Sequence, residues 1–189
     1  RLVGSEMCIR DRFLYVTLGG LNQVKQLNVN RVIGTNLING LANNTNPNVA
    51  TGTNPYGIAI APNGKFLYVA NKGDGTVSQY AVNLTSGSLT PLTPATVNTN
   101  GISPHEISVD NSGRFVYVTN SGSSTVAQFT ADPITGALTP MSPATVTVGN
   151  TPLGLAVDPA SRYLYVVNSA DNTYSCLLYT SPSPRDATL

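Results

Sequence analysis

Apolar side chains fall on every second position of short runs, and each run ends in Gly, Asn, Ser, Pro or Asp. The best-formed stretch begins with Pro104-His105-Glu106-Ile107-Ser108-Val109, breaks at Asn111-Ser112-Gly113 and resumes as Phe115-Val116-Tyr117-Val118-Thr119. Asn120-Ser121-Gly122-Ser123-Ser124 breaks it again before Thr125-Val126-Ala127-Gln128-Phe129. Asp132-Pro133-Ile134-Thr135-Gly136 then leads into Ala137-Leu138-Thr139-Pro140-Met141. A period of two puts alternate side chains on opposite faces of a strand, whereas an amphipathic helix needs a period near 3.6. The pattern predicts four short antiparallel strands joined by tight turns, with the proline-bearing fourth at an edge. It predicts no helix.

This grammar repeats along the chain. Phe13-Leu14-Tyr15-Val16-Thr17, Phe66-Leu67-Tyr68-Val69-Ala70-Asn71, Phe115-Val116-Tyr117-Val118-Thr119-Asn120 and Tyr163-Leu164-Tyr165-Val166-Val167-Asn168 are four copies of one strand. Their central tyrosines lie 53, 49 and 48 residues apart. Pro55, Pro104 and Pro152 each stand eleven residues before an aromatic, and Gln26, Gln79 and Gln128 hold one strand site. Thr85-Ser86-Gly87-Ser88-Leu89-Thr90-Pro91 answers Ile134-Thr135-Gly136-Ala137-Leu138-Thr139-Pro140. Four short strands in a unit of roughly 40–50 residues are the mark of a propeller blade. The fold class is therefore all-β: a β-propeller fragment of about three blades of four-stranded antiparallel sheets. The strand pattern gives three strands of one blade, two complete blades and two strands of the next, with repeat boundaries near 13–65, 66–114, 115–162 and 163–175. Phe66, Tyr68 and Ala70 face one neighbour and Leu67 and Val69 the other, so the repeated tyrosines are expected in the core.

The two ends break the phase. Residues 1–12 and 176–189 hold both cysteines, Cys8 and Cys176, and four of the chain's arginines. One DNA segment, read on opposite strands, can encode both Arg1 to Arg12 and Cys176 to Asp186. It resembles a sequencing adapter flanking an insert. These ends are expected to be adapter-derived, to pack poorly and to carry no site, with 13–175 an internal slice of a longer propeller.

Within 13–175 the charge balances: Lys25, Arg31, Lys65, Lys72, Arg114 and Arg162 against Asp74, Glu106, Asp110, Asp132, Asp158 and Asp171. There is no basic patch, which argues against nucleic-acid binding. There is no cysteine, hence no disulfide framework or thiolate metal site. No apolar run approaches the ~18 residues of a membrane span. Low charge with abundant Asn, Thr, Ser and Gly favours an exported, periplasmic or cell-surface β-protein over a cytoplasmic one. Neither a cofactor motif nor a metal-binding motif is present, and the single carboxylate of Asn71-Lys72-Gly73-Asp74-Gly75 is too few oxygens for calcium.

Tyr-Val-Thr-Asn at 117–120, with its variants at 68–71 and 165–168, resembles the YVTN repeat of bacterial and archaeal β-propellers. Thr135-Gly136-Ala137-Leu138-Thr139-Pro140, leading to Val157-Asp158-Pro159 and Tyr163-Leu164-Tyr165-Val166, is similar to lactonase-type seven-bladed propellers, a family that includes 6-phosphogluconolactonases. The first copy departs from the pattern: Leu18 stands where later copies have asparagine, and Arg31 to Asn48 has no clear phase.

Propeller topology places the loop before each innermost strand on the same face as the turn after the second strand. That face gathers Asn54-Pro55-Tyr56, Ser103-Pro104-His105-Glu106 and Thr151-Pro152-Leu153 with Asn71–Gly75, Asn120–Ser124 and Asn168–Asn172. His105, the chain's single histidine, and Glu106 stand where the other copies have Tyr56-Gly57 and Leu153-Gly154. They are the candidate catalytic pair, His105 as general base or as hydrogen-bond partner of a substrate carboxylate, and Glu106 orienting it or a water. Adjacent strand residues point to opposite sides, so the two need not meet. Pro104-His105 also resembles the Pro-His that opens an inner strand in lactonase-type propellers. Tyr56, Asn71, Asn120 and Asn168 are candidate ligand contacts, the asparagines equally able to lock their turns. Of the repeat-phased cations, Lys72 alone lies on this face. Asp110 and Asp158 are expected to accept turn N–H bonds on the opposite face. Two functions compete: a module binding a protein, glycan or small-molecule ligand through its loop-rich face, which the low charge favours, and a lactone hydrolase of the 6-phosphogluconolactonase type.

Overall fold

A computed structural model describes residues 7–10, 13–31 and 38–178. They form four antiparallel sheets, each a meander in chain order. The first holds β1 (Met7–Arg10), β2 (Phe13–Leu18), β3 (Gln23–Arg31) and β4 (Ile38–Ala50). The second holds β5 (Pro55–Ile60), β6 (Phe66–Asn71), β7 (Thr76–Val82) and β8 (Leu89–Asn98). The third holds β9 (Pro104–Val109), β10 (Phe115–Asn120), β11 (Thr125–Ala131) and β12 (Leu138–Thr147), and the fourth β13 (Pro152–Val157), β14 (Tyr163–Asn168) and β15 (Thr173–Leu178). The helix among the described residues is a 3-10 turn at Gly19–Leu21. Strand β5 packs beside β1 and β9, and β9 beside β13, so the first strand of each sheet faces the next across a common inner edge.

The partial sheets are fuller than the strand pattern predicts. Met7–Arg10 pairs with Arg10 opposite Phe13 and gives the first sheet a fourth strand. Cys176 pairs with Tyr165 in β15, and Leu177 packs against the buried Leu164 and Val166. These short segments join by backbone pairing, because an open sheet edge offers donors and acceptors that any extended segment can satisfy. In β15 the side chains at the end of the strand lie outward: Cys176 is exposed and Leu178 is 66% exposed. The phase-poor stretch before Asn48 includes the outer strand β4, whose pairing with β3 shifts register twice.

The two faces of each aromatic strand divide as the alternation requires. Phe66, Tyr68 and Ala70 pack with Ile107, Val116 and Val118 of the third sheet, and Leu67 and Val69 with Tyr15 and Val24 of the first. At about 25 cal/mol per Å² of apolar surface removed from water, these two-sided interfaces are the main source of stability. The burial also seats a repeated polar clamp. Tyr68 and Gln79 stand opposite each other on β6 and β7. The Tyr68 hydroxyl donates to the Gly136 carbonyl of the next sheet at 2.8 Å, and the Gln79 Oε1 accepts the Leu138 N–H at 2.7 Å. One sheet earlier, Tyr15 bonds the Gly87 carbonyl and Gln26 accepts the Leu89 N–H, at 2.8 and 2.9 Å. The receiving turns are fixed by Asn83, whose Oδ1 accepts from Thr85 and Ser86, and by Asp132, whose Oδ1 accepts from Ile134 and Thr135. Sequence grammar thus becomes sheet-to-sheet adhesion, and that adhesion aligns the loops on the face described next.

Candidate active site

The loops before β5, β9 and β13 and the turns after β6, β10 and β14 share one face and bond each other. Lys72 and Gly73 N–H donate to the Asn54 and Thr53 carbonyls, Ser121 and Gly122 to Ser103 and Ile102, and Ser169 and Ala170 to Thr151 and Asn150. Each loop carries a left-handed non-glycine residue just before the proline: Asn54, Ser103 and Thr151, with φ of 52° to 54°. That conformation costs a residue with a Cβ about 1–2 kcal/mol, and here it aims three neighbouring carbonyls into the opposite turns.

The asparagines are turn locks. The Asn71 Nδ2 donates to Thr76 and Ser78 Oγ atoms at 2.9 Å each, Asn120 to Thr125 at 3.1 Å, and Asn168 to Thr173 and Ser175 at 3.2 and 2.9 Å. All three are buried. Each packs so tightly on a loop glycine that a Cβ at Gly52, Gly101 or Gly149 would stand within 2.6 Å of the amide. Their side chains therefore lie beneath the loop backbone rather than at its surface. Asp74, in the stretch considered for calcium, accepts the Thr53 N–H and the Thr76 hydroxyl, both at 2.7 Å. Among the described residues no cluster of His, Cys, Asp and Glu is able to hold a metal ion.

On the opposite face Asp110 and Asp158 accept turn N–H bonds. Asp110 Oδ1 takes Arg114 and Phe115 at 2.9 Å each, and Asp158 Oδ1 takes Tyr163 and Arg162. The Tyr163 N–H, first among several donors, holds the Asp158 carboxyl below its ordinary range.

His105 gathers groups from three sheets. Its ring stacks on Tyr56 of β5, with centroids 4.0 Å apart and planes tilted by 35°. Lys72, on the turn after β6, places Nζ 5.5 Å from the centre of the Tyr56 ring. His105 Nδ1 lies 3.2 Å from the carbonyl oxygen of Leu153 on β13. A carbonyl accepts and cannot donate, so Nδ1 carries the hydrogen in that bond and Nε2 of the neutral ring keeps its lone pair. Burial lowers the imidazole from its usual value, the Leu153 bond opposes this, and the nearby Lys72 charge lowers it further. Burial and the Lys72 charge thus favour the neutral ring over the imidazolium, relative to an exposed histidine. Glu106 follows on the strand, and its backbone N–H donates to the Thr119 hydroxyl at 3.0 Å. Gly57, its counterpart in the second sheet, has no room for a side chain: a Cβ there would stand 2.4 Å from the His105 carbonyl. Beside the cluster, Lys72, Gly73, Asp74, Gly75, Gly101, Ile102 and Ser103 line a cleft of about 260 Å³.

Tyr56, His105 and Lys72, which sequence reasoning puts on one face, therefore meet. The Leu153 carbonyl and the Thr119 hydroxyl are additions. The first has no sequence signature. The second has a weak one, since Thr17 recurs at the same strand position and bonds the Tyr56 carbonyl at 2.9 Å.

The family profile described as Lactonase, 7-bladed beta-propeller, matches residues 9–150. The chain belongs to this family. No curated protein matches it. Among solved structures it is similar to a candidate 6-phosphogluconolactonase of Bacteroides fragilis, at 24% identity and a TM-score of 0.78, over 94% of this chain and 52% of that one. It is similar to the periplasmic gluconolactonase of Pseudomonas aeruginosa, at 21% identity and a TM-score of 0.73, over 88% and 47%. It is similar also to a Desulfotomaculum acetoxidans protein of unknown function, at 19% identity and 0.73, over 93% and 55%. The chain spans about half the length of these structures, and likeness at such identities carries the fold alone. No helix of the described residues is long and apolar enough to cross a membrane.

Proposed function

We propose that this chain forms part of a lactone hydrolase of the 6-phosphogluconolactonase type, with His105 as its general base. This reverses the weight that low charge alone gives to a binding module, because the family and the His105 environment both favour hydrolysis. The observation that carries the reading is the bond from Nδ1 to the Leu153 carbonyl, which leaves Nε2 as the proton acceptor. Nε2 takes a proton from water as the water oxygen bonds the lactone carbonyl carbon. Collapse of the tetrahedral intermediate breaks the ring C–O bond, and Nε2–H returns the proton to the leaving oxygen, giving the hydroxy acid. Lys72 is the cation near enough to favour the developing oxyanion and the product carboxylate. Glu106 is the second candidate, ordering the attacking water. The low charge of 13–175 and the periplasmic gluconolactonase among the similar structures support export.

In the intact protein, His105→Gln is expected to lower kcat/KM for aldonolactone hydrolysis by about 100-fold or more, as for loss of a general base. Unchanged hydrolysis overturns the reading. Absence of lactonase activity in the unmutated protein returns the function to binding a protein, glycan or small molecule through the same face. The balanced charge of residues 13–175 favours this second reading.

A further inference from the structure

We propose that Thr119 is the positioning residue for His105, acting through the Leu153 carbonyl. Thr119 sits on β10, fully buried, one residue before the asparagine that closes the strand. Its Oγ1 accepts the Glu106 N–H at 3.0 Å, which turns the hydroxyl hydrogen away from that donor. The hydrogen then points to Leu153 O at 3.1 Å, a better acceptor than Glu106 O at 3.5 Å. Leu153 O is the same atom that His105 Nδ1 approaches at 3.2 Å. A carbonyl oxygen has two lone pairs, and here each has one donor. The result is a closed circuit: His105 ring, Leu153 carbonyl, Thr119 hydroxyl, Glu106 N–H, and back through one peptide bond to His105. Because Glu106 is covalently next to His105, the circuit ties the backbone that carries the imidazole to the acceptor that orients it. Polarisation runs head to tail from the Glu106 N–H through the Thr119 hydroxyl to Leu153 O and strengthens those two bonds; on His105 the hydroxyl acts by fixing the direction of the carbonyl that both donors share.

The repeat supplies its own comparison. Thr17 makes the equivalent hydroxyl bond to the Tyr56 carbonyl, whereas the equivalent residue in the second sheet is Ala70. A hydroxyl is therefore not needed to build a sheet at this position, and the fold itself accommodates alanine there. The groups that face His105 are Tyr56 from β5, stacked on its ring, and Lys72 from the turn after β6, the charge that acts on it; Glu106 follows on the same strand, where alternation sends its side chain to the other side, and Thr119 adds no charge and acts on geometry alone.

The role of His105 as base belongs to the proposed function, but the orientation of its ring is measurable without any substrate. His105 is the single histidine of this sequence, and its imidazole ¹⁵N signals in the intact protein are assigned by their loss in His105→Gln. The unmutated protein is expected to show the Nδ1–H tautomer. Thr119→Val and Thr119→Ala are expected to move at least half the population to Nε2–H, the tautomer that free imidazole prefers. They are also expected to lower the titration midpoint, because the Leu153 bond favours the protonated ring. Thr119→Ser, which keeps the hydroxyl, is expected to retain the parent spectrum, as is Thr17→Val, which removes the same kind of bond elsewhere. If the valine variant does not fold, the alanine variant decides, given the precedent of Ala70. The proposal is overturned if Thr119→Ala keeps the parent tautomer, if Thr119→Ser shifts it as far as alanine does, or if Thr17→Val shifts it too. None of these readings depends on lactone hydrolysis, so an inactive protein refutes the proposed function and leaves this one to its own test.

Discussion

Gly136 lies directly beneath the ring of Phe66: a Cβ built on the glycine would stand 2.2 Å from the ring's Cδ1. The two residues belong to different sheets, and the glycine also holds φ at +75°, where a side chain is strained. Gly113 has nearly the same φ, +72°, but its nearest neighbour, Pro62, is 3.6 Å away.

These glycines make a matched pair. Gly113→Ala is expected to cost about 1–2 kcal/mol, the left-handed penalty alone. Gly136→Ala is expected to cost about 2–3 kcal/mol more, since Phe66 must leave its rotamer or the sheets must part. Urea unfolding of the two variants measures the difference. Equal costs would show that the Phe66 contact relaxes without penalty.

Alkaline pH should weaken the same interfaces. Burial pushes the Tyr80 hydroxyl up to about 12, with the Ser78 bond acting the other way, and burial also raises Tyr68 well above an ordinary phenol. A folded value above the unfolded 10.0 means that the native state keeps its proton where the unfolded chain has lost it. The stabilisation is complete below pH 10 and is lost as pH rises toward 12, and Tyr80 alone accounts for about 2–3 kcal/mol. Denaturation midpoints followed from pH 9 to 12 should fall, and Tyr80→Phe should flatten that fall.

Lys72 should contribute to the acid limb of the proposed activity, after burial of the imidazole. On the proposed mechanism the base acts in its neutral form, and its midpoint lies below the ordinary histidine value, so kcat/KM for lactone hydrolysis is expected to fall to half its plateau only below pH 6.5. Removing the nearby cation in Lys72→Met eases protonation of the ring and should move that limb to higher pH. A limb that stays in place would separate Lys72 electrostatically from His105.

The repeat made the architecture legible because each strand advertises both faces. Phe66-Leu67-Tyr68-Val69 can be buried on two sides only between two neighbours, and packing against two sheets is what it finds. Tyr56, His105 and Lys72 could be placed on one face because the phase of Pro55, Pro104 and Pro152 fixes which loops share it. The centre of the site was not legible. The Leu153 carbonyl orients the imidazole, and a backbone atom leaves no trace in residue identity. The asparagines were ambiguous for a related reason: the same amide can meet a ligand or lock a turn, and what separates the two is Gly52, Gly101 and Gly149 lying against them. The strands at Met7–Arg10 and Cys176–Leu178 fall outside the repeat phase, and pairing to an open sheet edge needs no repeat signature.

Thr151 carries avoidable strain. It is β-branched, sits at φ 52° and contributes its carbonyl, which accepts the Ser169 N–H and hydroxyl at 3.0 and 3.1 Å. Asn54 fills the equivalent position with a residue that tolerates this region better. Thr151→Asn is expected to raise stability by about 0.5–1 kcal/mol with the carbonyl bonds intact. Thermal unfolding reports the sign, and a loss of stability would show that the threonine side chain contributes more than its backbone strain removes.

The clamp between sheets has a consequence for how such chains grow. The tooth, Phe-x-Tyr with its opposing Gln, lies early in each sheet, and the socket, Gly-x-Leu, lies late in the next. One unit of sequence therefore encodes both a tooth for the sheet that follows and a socket for the sheet before it. A tandem duplication of that unit arrives with matching parts already made, so a ring can lengthen by copying, and drift in its loops leaves the fastening between copies untouched.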